Sequence, residues 1–222
     1  MTLWVSSGTS LMKGAKFNAA LGIRFNTLPT RLRAARGRPE ANNGCDSCGP
    51  TVLGSLSHEL QVCPRTHGAR VKRHDRVLDQ SARIFRRLGY TIALEPHIDT
   101  AAGLRKPDIV VYGPEKPTVV LDVGICSDMY DDPNTPHMAK VEKYQQHQEV
   151  RTSIEQLTGS PPSFSSIILS WRGVFSPASA ADLRSYGFTQ ADLGLLAAIT
   201  VEQSAVMHRI WNQSTSRVGQ PL

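Results

Sequence analysis

The 222-residue sequence has few aromatics, 6% Phe, Trp and Tyr, and only 4 cysteines. It has no apolar run near the roughly 18 residues that a membrane-spanning helix needs. Met1 to Ser10 carries no basic stretch leading into an apolar one, so no secretory leader is expected. The 17 glycines and 14 prolines are scattered rather than massed, which excludes collagen-like and low-complexity classes. A 40% hydrophobic content excludes disorder of the whole chain, and the length suits one or two domains. These absences predict a soluble, unsecreted protein with no membrane partner. A shortage of acid in the first part is more informative. Residues 1–89 hold 15 Lys and Arg against 5 Asp and Glu, and residues 90–222 hold 10 against 14, so a +10 segment joins a −4 segment. The split suggests a front that faces a polyanion and a part that gathers carboxylates. The alternative is a basic tail with no partner, and the positions of the basic residues decide between them.

Three of the cysteines fall close together, as Cys45-Asp-Ser-Cys48 and Cys63, with His58 between them; Cys126 stands alone. An odd local count without a secretory leader argues against a disulfide framework. Three thiolates and an imidazole at this spacing form a tetrahedral zinc ligand set, closed to water and therefore structural. The alternative is coincidence, with buried cysteines and a surface histidine sharing a neighbourhood. Gly49-Pro50 and Gly54 support a turn-rich knuckle, which so short a segment can hardly fold without its metal.

Ahead of the knuckle, a helix over Leu11 to Phe25 and a basic run through Arg31, Arg33, Arg36 and Arg38 make no core of their own. Behind it, His67 to Leu88 has apolar residues at helical spacing and a stop at Gly89. Its other face carries Lys72, Arg76, Arg83 and Arg87, either a solvated stripe or a track for phosphates. Strands are expected over Tyr90 to Glu95, Pro107 to Tyr112, Thr118 to Gly124 and Ser165 to Trp171. One helix is expected from Thr135, as cap, with Pro136 first, to about Leu157, and a closing helix from Thr189 to about Trp211, ahead of a frayed polar tail. The fold class is α/β, with a core order of helix, three-stranded meander, helix, strand. The divisions are a basic helical linker (1–40), the knuckle (41–66), the core (67–175) and a C-terminal helical extension (176–222).

Asp108 and Asp122 are the chemical centre. An unbulged hairpin turning about Glu115 sets them directly opposite, with Val110 and Val120, then Tyr112 and Thr118, as further pairs on that face. The other face, Ile109, Val111, Val119, Leu121 and Val123, is apolar and belongs in the core. Two facing carboxylates repel unless a cation sits between them, and hard oxygen ligands suit Mg²⁺ or Mn²⁺. The alternative is a shifted register with two ordinary exposed acids. Lys106-Pro107-Asp108 and Asp122 resemble the acidic part of the restriction-endonuclease-like nuclease pattern. There a lysine sits two residues after the second acid, where this sequence has Gly124. The best substitute is the later helix, where Lys140 and Tyr144 share a face and Lys143 is adjacent. Glu95 is either a further ligand or a structural acid, and Arg105 and Lys106 either hold DNA phosphates or belong to a solvated loop.

Gly37-Arg38-Pro39, Cys45-x-x-Cys48, His58, Leu60-Gln61-x-Cys63-Pro64-Arg65-Thr66-His67-Gly68, Arg73-His74-Asp75, Glu95-Pro96, Gly103-Leu104-Arg105-Lys106-Pro107-Asp108 and Asp122-Val123 occur in that order. Together they resemble the C-terminal region of polyproteins from site-specific non-LTR retrotransposons, where a reverse transcriptase is followed by a linker, a CCHC zinc knuckle and a restriction-like endonuclease. The resemblance covers about residues 1–170. Lys140-Val-Glu-x-Tyr144 resembles the displaced catalytic lysine segment of that family. It implies a restriction-endonuclease-like core that nicks target DNA, the released 3′ hydroxyl priming reverse transcription. The site residues are then Asp108, Asp122, Lys140 and Tyr144, with the carbonyl of Val123 as a third ligand for Mg²⁺ or Mn²⁺ and Glu95 as a candidate. Arg65, Lys72, Arg76, Arg83, Arg87, Arg105 and Lys106 would contact nucleic acid. The partners implied are duplex or branched DNA, element RNA and the reverse transcriptase of a longer polyprotein, acting in the nucleus. Tyr130-Asp131-Asp132 is followed by Pro133 and fails as a polymerase motif. The competing function is a catalytically silent nucleic-acid-binding remnant that keeps the knuckle and the basic helix. A branch-specific resolvase is a further option on the same fold.

Overall fold

In a computed structural model, residue 12 and residues 14–216 are described. The start of the expected first helix at Leu11 and the tail beyond Ser216 lie outside the described residues. The basic front forms α1 (Ala15–Arg24) and a single turn, α2 (Arg31–Ala34), capped by the Thr30 hydroxyl, which accepts from the Arg33 N–H at 3.2 Å. The cysteine segment forms a small antiparallel ribbon, β1 (Gly44–Cys45) and β2 (Gly49–Leu53), then α3 (Leu56–Gln61) and a 3₁₀ turn (Pro64–Thr66). A Cβ on Gly44 would stand 2.5 Å from the Pro50 Cα, so only glycine lets the two strands approach this closely. The long amphipathic segment is α4 (His67–Arg87), ended where Gly89 takes a left-handed φ of 84°.

Four strands form one mixed sheet in the order β3 (Thr91–Leu94), β4 (Ile109–Gly113), β5 (Lys116–Cys126), β6 (Ser163–Ser170). The first three are antiparallel, and β6 runs parallel to β5. Ile109 pairs with Leu121 and Val110 with Val120, so one step back along the ladder sets Asp108 against Asp122. The hairpin is not unbulged. Gly113 pairs with Lys116, and the expected Tyr112–Thr118 pair is replaced by a slip next to the two-residue turn, where Glu115 has a left-handed φ of 55°. The slip is confined to the turn end because burial fixes the rest. Sliding β4 by one residue would take Ile109 and Val111 out of the larger core and swing the Asp108 carboxylate into it, where it would have no polar partner.

A parallel pair needs a crossover, and here it is two helices, α5 (Thr135–Gln145) and α6 (Gln148–Thr158), where one unbroken helix was expected. The break falls at His147, held in extended backbone at φ −100° and ψ 110°, with its Nε2 accepting from Arg105 Nε at 3.0 Å. The cap of α5 is Asn134 rather than Thr135, and the Asn134 amide oxygen is engaged by Ser176 Oγ and the Ala178 N–H. That tie connects α5 to a helix the periodicity missed, α7 (Pro177–Ser185), although Ser176-Pro177 is a readable cap-and-proline start. The closing helix α8 (Gln190–Ser216) begins with the expected reciprocal cap. The Thr189 N–H donates to Asp192 Oδ2 at 2.9 Å, and the Asp192 N–H donates to Thr189 Oγ1 at 3.2 Å.

Both faces of the sheet are buried. Ile109, Val111, Val119, Leu121 and Val123 pack with Val77 and Phe85 of α4 and Leu196 and Val201 of α8. On the acid-bearing face Val110 and Val120 lie in a second core with Tyr144, Val150 and Ile154, so α5 and α6 roof that face. The front is not detached from this body: Ala20 and Ile23 of α1 and Leu56 and Leu60 of α3 join the larger core. Trp211 of α8 is buried beside Cys45 and Cys63. Among the described residues no helix is long and apolar enough to cross a membrane.

Candidate metal centres and groove

The ligand atoms of Cys45, Cys48, His58 and Cys63 all lie within 4.8 Å of one another. Cys63 Sγ stands 3.9 Å from both Cys45 Sγ and Cys48 Sγ. A tetrahedral ion with Zn–S bonds of about 2.3 Å spaces its sulfurs by about 3.8 Å, so these gaps match its edges. The His58 Nε2 atom is buried without a hydrogen-bond partner, an orphan that a metal bond would satisfy. Burial and the Cys45 and Cys63 thiols push the Cys48 thiol up to about 11, so a cation must displace its proton. The cluster could hold a zinc ion.

The carboxylates are arranged differently. Asp122 is 2% exposed, under α5, and three side chains of that helix converge on it. Lys140 Nζ donates to Oδ2, Tyr144 Oη donates to Oδ1 at 2.7 Å, and Lys143 Nζ reaches Oδ1 at 3.5 Å. Lys140 and Tyr144 are one turn apart, which is why both reach the same group. Lys143 Nζ also donates to Tyr144 Oη at 2.7 Å, and Tyr144 Oη lies 2.9 Å from the Lys106 carbonyl, pinning the Lys106-Pro107-Asp108 loop beside Asp122. Burial, then the Asp122 charge, raises the Tyr144 hydroxyl well above the ordinary tyrosine range, so it stays a donor.

Asp108 Oδ2 accepts from the Val123 N–H at 2.6 Å and lies 3.1 Å from His74 Nε2. Burial alone would raise Asp108, but the His74 hydrogen bond and the Val123 N–H outweigh it and hold the carboxyl below its usual range. The same hydrogen bond from Asp108 raises His74 to about 8.

Gly124 lies beside the stem of Lys140. A Cβ there would stand 2.8 Å from Ile168 Cδ1, too close, and would only touch the stem of Lys140, whose Cε would lie 3.5 Å away, so the glycine is required by the packing of β6 against β5 and the lysine passes beside it. His74, Val123, Gly124 and Lys140 line a groove of about 580 Å³ between α4, β5 and α5. Gln61 of α3 borders it and donates to the Cys126 carbonyl at 2.8 Å, tying the knuckle to the strand that carries Asp122.

No protein-family model matches the chain. Individual relatives do. It is 35% identical over 172 residues, 77% of its length, to a retrovirus-related Pol polyprotein from a type-1 retrotransposable element R2 of Nasonia vitripennis. It is 31% identical over 186 residues, 83% of its length, to the Pol polyprotein of the type-2 element R2DM of Drosophila melanogaster. An R2 Pol polyprotein of Popillia japonica is 30% identical over 211 residues, 93% of the chain. The chain is a homologue of part of the R2 Pol polyproteins. It spans 17% of the length of the first two and 42% of the third.

The basic residues of this R2 homologue do not all face one way. At about 100° per residue, Arg76 and Arg83 project about half a turn from His74, so the exposed stripe lies on the side of α4 away from the groove. Lys72, Arg76 and Arg83 are exposed there, and Arg87 is committed to Asp192 at 2.7 Å. Lys106 pairs with Glu95 at 2.7 Å, and Arg105 is held by His147. Glu95 is half-exposed and does not join Asp108 and Asp122 in a three-ligand group among the described residues. Arg65, half-buried, follows the knuckle in the 3₁₀ turn. Periodicity reasoning missed His74, because nothing local reveals a contact across 34 residues. It also missed Arg73, which is 1% exposed and donates to Ser204 Oγ, the Leu60 carbonyl and Gln61 Oε1.

Proposed function

We propose that this R2 homologue is the metal-dependent DNA endonuclease part of a non-LTR retrotransposon polyprotein, with a restriction-endonuclease-like core and a displaced lysine. It would nick target DNA so that the freed 3′ hydroxyl primes reverse transcription by a polymerase that this segment does not carry. The observation that carries the reading is the meeting of Asp108, Asp122 and Lys140, the lysine arriving from α5 at the position beside Gly124. Two carboxylates opposed across a hairpin are hard oxygen donors of the kind a divalent ion takes, and His74, Lys140 and Lys143, which neutralise them in its place, would have to yield when it binds. Asp108 and Asp122, with the Val123 carbonyl, would hold Mg²⁺ or Mn²⁺, which when bound polarises a phosphate and lowers the pKa of water.

The chain's own residues do the rest. Lys140 reaches the groove from α5 and stabilises the negative charge that builds on the phosphate in the transition state. Tyr144 stays protonated and gives its one proton to Asp122, with the Lys106 carbonyl as the alternative acceptor within reach, so the hydroxyl sits between the two segments that carry the acids. The Val123 N–H and His74 orient the Asp108 carboxylate. The knuckle, with structural zinc, supplies through Gln61 a fixed border for the groove. The exposed stripe of α4 and Arg65 would bind duplex or branched DNA, or element RNA, through phosphates, in the nucleus where the target lies.

One observation favours the alternative, a silent nucleic-acid-binding remnant: Asp122 is fully engaged by protein donors without a metal. A nicking assay on duplex and branched DNA with Mg²⁺ separates the two. Nicking by the wild type that is lost in both Asp108→Ala and Asp122→Ala supports the endonuclease. Equal nicking by all three rejects the site, and binding without nicking in the wild type supports the remnant.

A further inference from the structure

The groove beside the carboxylates does not end at Gly124. It continues into a second cavity of about 350 Å³, and the two share Cys126, Tyr130, Pro136 and Ile168 as walls. Two arginines from opposite ends of the sequence meet in this extension: Arg24, the last residue of α1, and Arg172, in the turn after β6.

Their setting is built for an anion. The Arg24 Nη1 atom donates to the Arg172 carbonyl at 3.3 Å, which brings the two side chains into one neighbourhood. Burial, and then the charge of Arg172, lowers Arg24 from its ordinary value, as expected for two cations drawn together out of water. Among the described residues the only acid in the wall is Asp128, and it is already used, accepting from Trp171 Nε1 at 3.1 Å and ion-paired with Arg172, whose Nε lies 2.8 Å away. One carboxylate therefore faces two guanidinium groups, leaving a net positive charge. Arg172 is also preset: its guanidinium lies 4.6 Å from the centre of the Trp171 ring. The next residue, Gly173, has a left-handed φ of 72°, and a Cβ on it would meet Val201 Cγ2 at 2.6 Å and the Ala197 carbonyl oxygen at 2.7 Å. The turn is thus locked against α8, so little ordering entropy remains to be lost on binding. At the junction of the two cavities stands Tyr130, 47% exposed, an aromatic face beside a cationic pocket.

We propose that Arg24 and Arg172 form a phosphate clamp for the DNA strand that runs along the groove beside the carboxylates, with Tyr130 as a stacking surface for one of its bases. A guanidinium pair matches a phosphodiester by forked hydrogen bonds, and aromatic stacking tolerates any base. The clamp assigns the grip on the cut strand to this pair rather than to the basic stripe of α4, which faces away from the groove. This deepens the endonuclease reading and rests on it.

The test measures affinity for a mixed-sequence duplex of about 30 base pairs, with and without a single-stranded gap, across a salt series without Mg²⁺. Arg24→Gln is the main variant because, among the described residues, the Arg24 side chain hydrogen-bonds only to a backbone carbonyl, and Arg24→Lys is its rescue. Each lost phosphate contact should lower the slope of log affinity against log salt by about 0.9, or about 0.7 on the single-stranded gap. Arg24→Gln should show that fall with an unchanged melting temperature, Arg24→Lys should recover it, and Tyr130→Ala should weaken gapped DNA about 5-fold or more. If Arg24→Gln leaves the slope unchanged, or if the fall appears with RNA of the same sequence and not with DNA, the clamp is overturned. Wild-type nicking is scored separately. A slope change in a protein that never nicks keeps the clamp and overturns the endonuclease.

Discussion

The chain presents two candidate metal centres that solve opposite problems. In the knuckle, four ligand atoms converge within 4.8 Å and leave a buried imidazole nitrogen unsatisfied, so the protein alone is incomplete there. At the sheet, Asp108 and Asp122 are each met by protein donors, His74 and the Val123 N–H on one, Lys140, Lys143 and Tyr144 on the other. The first centre lacks a partner that an ion would supply. The second is balanced without one, and an ion must compete with lysine and histidine for the carboxylates. A structural site should therefore bind tightly and lose its fold on stripping, and a catalytic site should exchange its ion and keep its fold.

The largest expected effect is at the knuckle. Cys63→Ser, or chelation, should drop bound zinc from one equivalent to near none, since structural zinc contributes about 10–16 kcal/mol in isolated zinc-finger peptides. Because Trp211 is buried against Cys45 and Cys63, its fluorescence should shift toward that of exposed indole in the same titration. Asp122→Asn should do the reverse, keeping one zinc and melting within about 2 kcal/mol of wild type. Its lysine partners are 34% and 47% exposed and can turn to solvent. Nicking by Asp122→Asn should fall about 10³-fold, roughly 4 kcal/mol of lost transition-state stabilisation. A collapse of Asp122→Asn on heating would erase the contrast between the centres.

Gly124→Ala sharpens it further. The added methyl should cost about 1–3 kcal/mol in a denaturant melt through Ile168, while nicking per folded molecule should hold because the methyl meets the Lys140 stem only at ordinary contact distance. The smallest effect separates Arg87 from the rest of the basic stripe. Arg87→Ala should cost about 0.5 kcal/mol, the guanidinium being mostly exposed, while Arg83→Ala should leave stability unchanged and lower the salt slope of DNA binding. Burial alone would raise Asp192, but the Thr189 hydrogen bonds and Arg87 outweigh it and hold its carboxyl below the usual range. The stability this provides is present above the unfolded carboxylate pKa, about 3.9, and is lost as pH falls through the lower folded value. The Arg87→Ala difference should shrink over that acid window in melts taken across pH.

What could be read from residues alone follows the same contrast. The knuckle is local, so the spacing of Cys45, Cys48, His58 and Cys63 suffices to group them. Opposition of Asp108 and Asp122 was legible because apolar alternation in Ile109, Val111, Val119 and Leu121 fixes the hairpin register. The slip at Gly113 was not, since it depends on the turn. The break at His147 was hidden because helical periodicity continues through it, and the Arg105 contact that accompanies it comes from 42 residues away. Charge alone put Arg87 in a phosphate track, whereas its partner Asp192 lies 105 residues further on. Arg24 and Arg172 are 148 residues apart, and only the packing of α1 against α8 and the turn after β6 brings them together.

The central claim, a zinc-closed knuckle beside an exchangeable hard-metal centre on Asp108 and Asp122, is tested most directly by amide NMR of the zinc-loaded chain titrated with substoichiometric Mn²⁺. The amides of Val123 and Gly124 should broaden first while that of Ser47 in the knuckle stays sharp, and the localised broadening should vanish in Asp122→Asn. Broadening spread evenly over the surface, or localised at Val123 and Gly124 to the same extent in Asp122→Asn, would contradict the account.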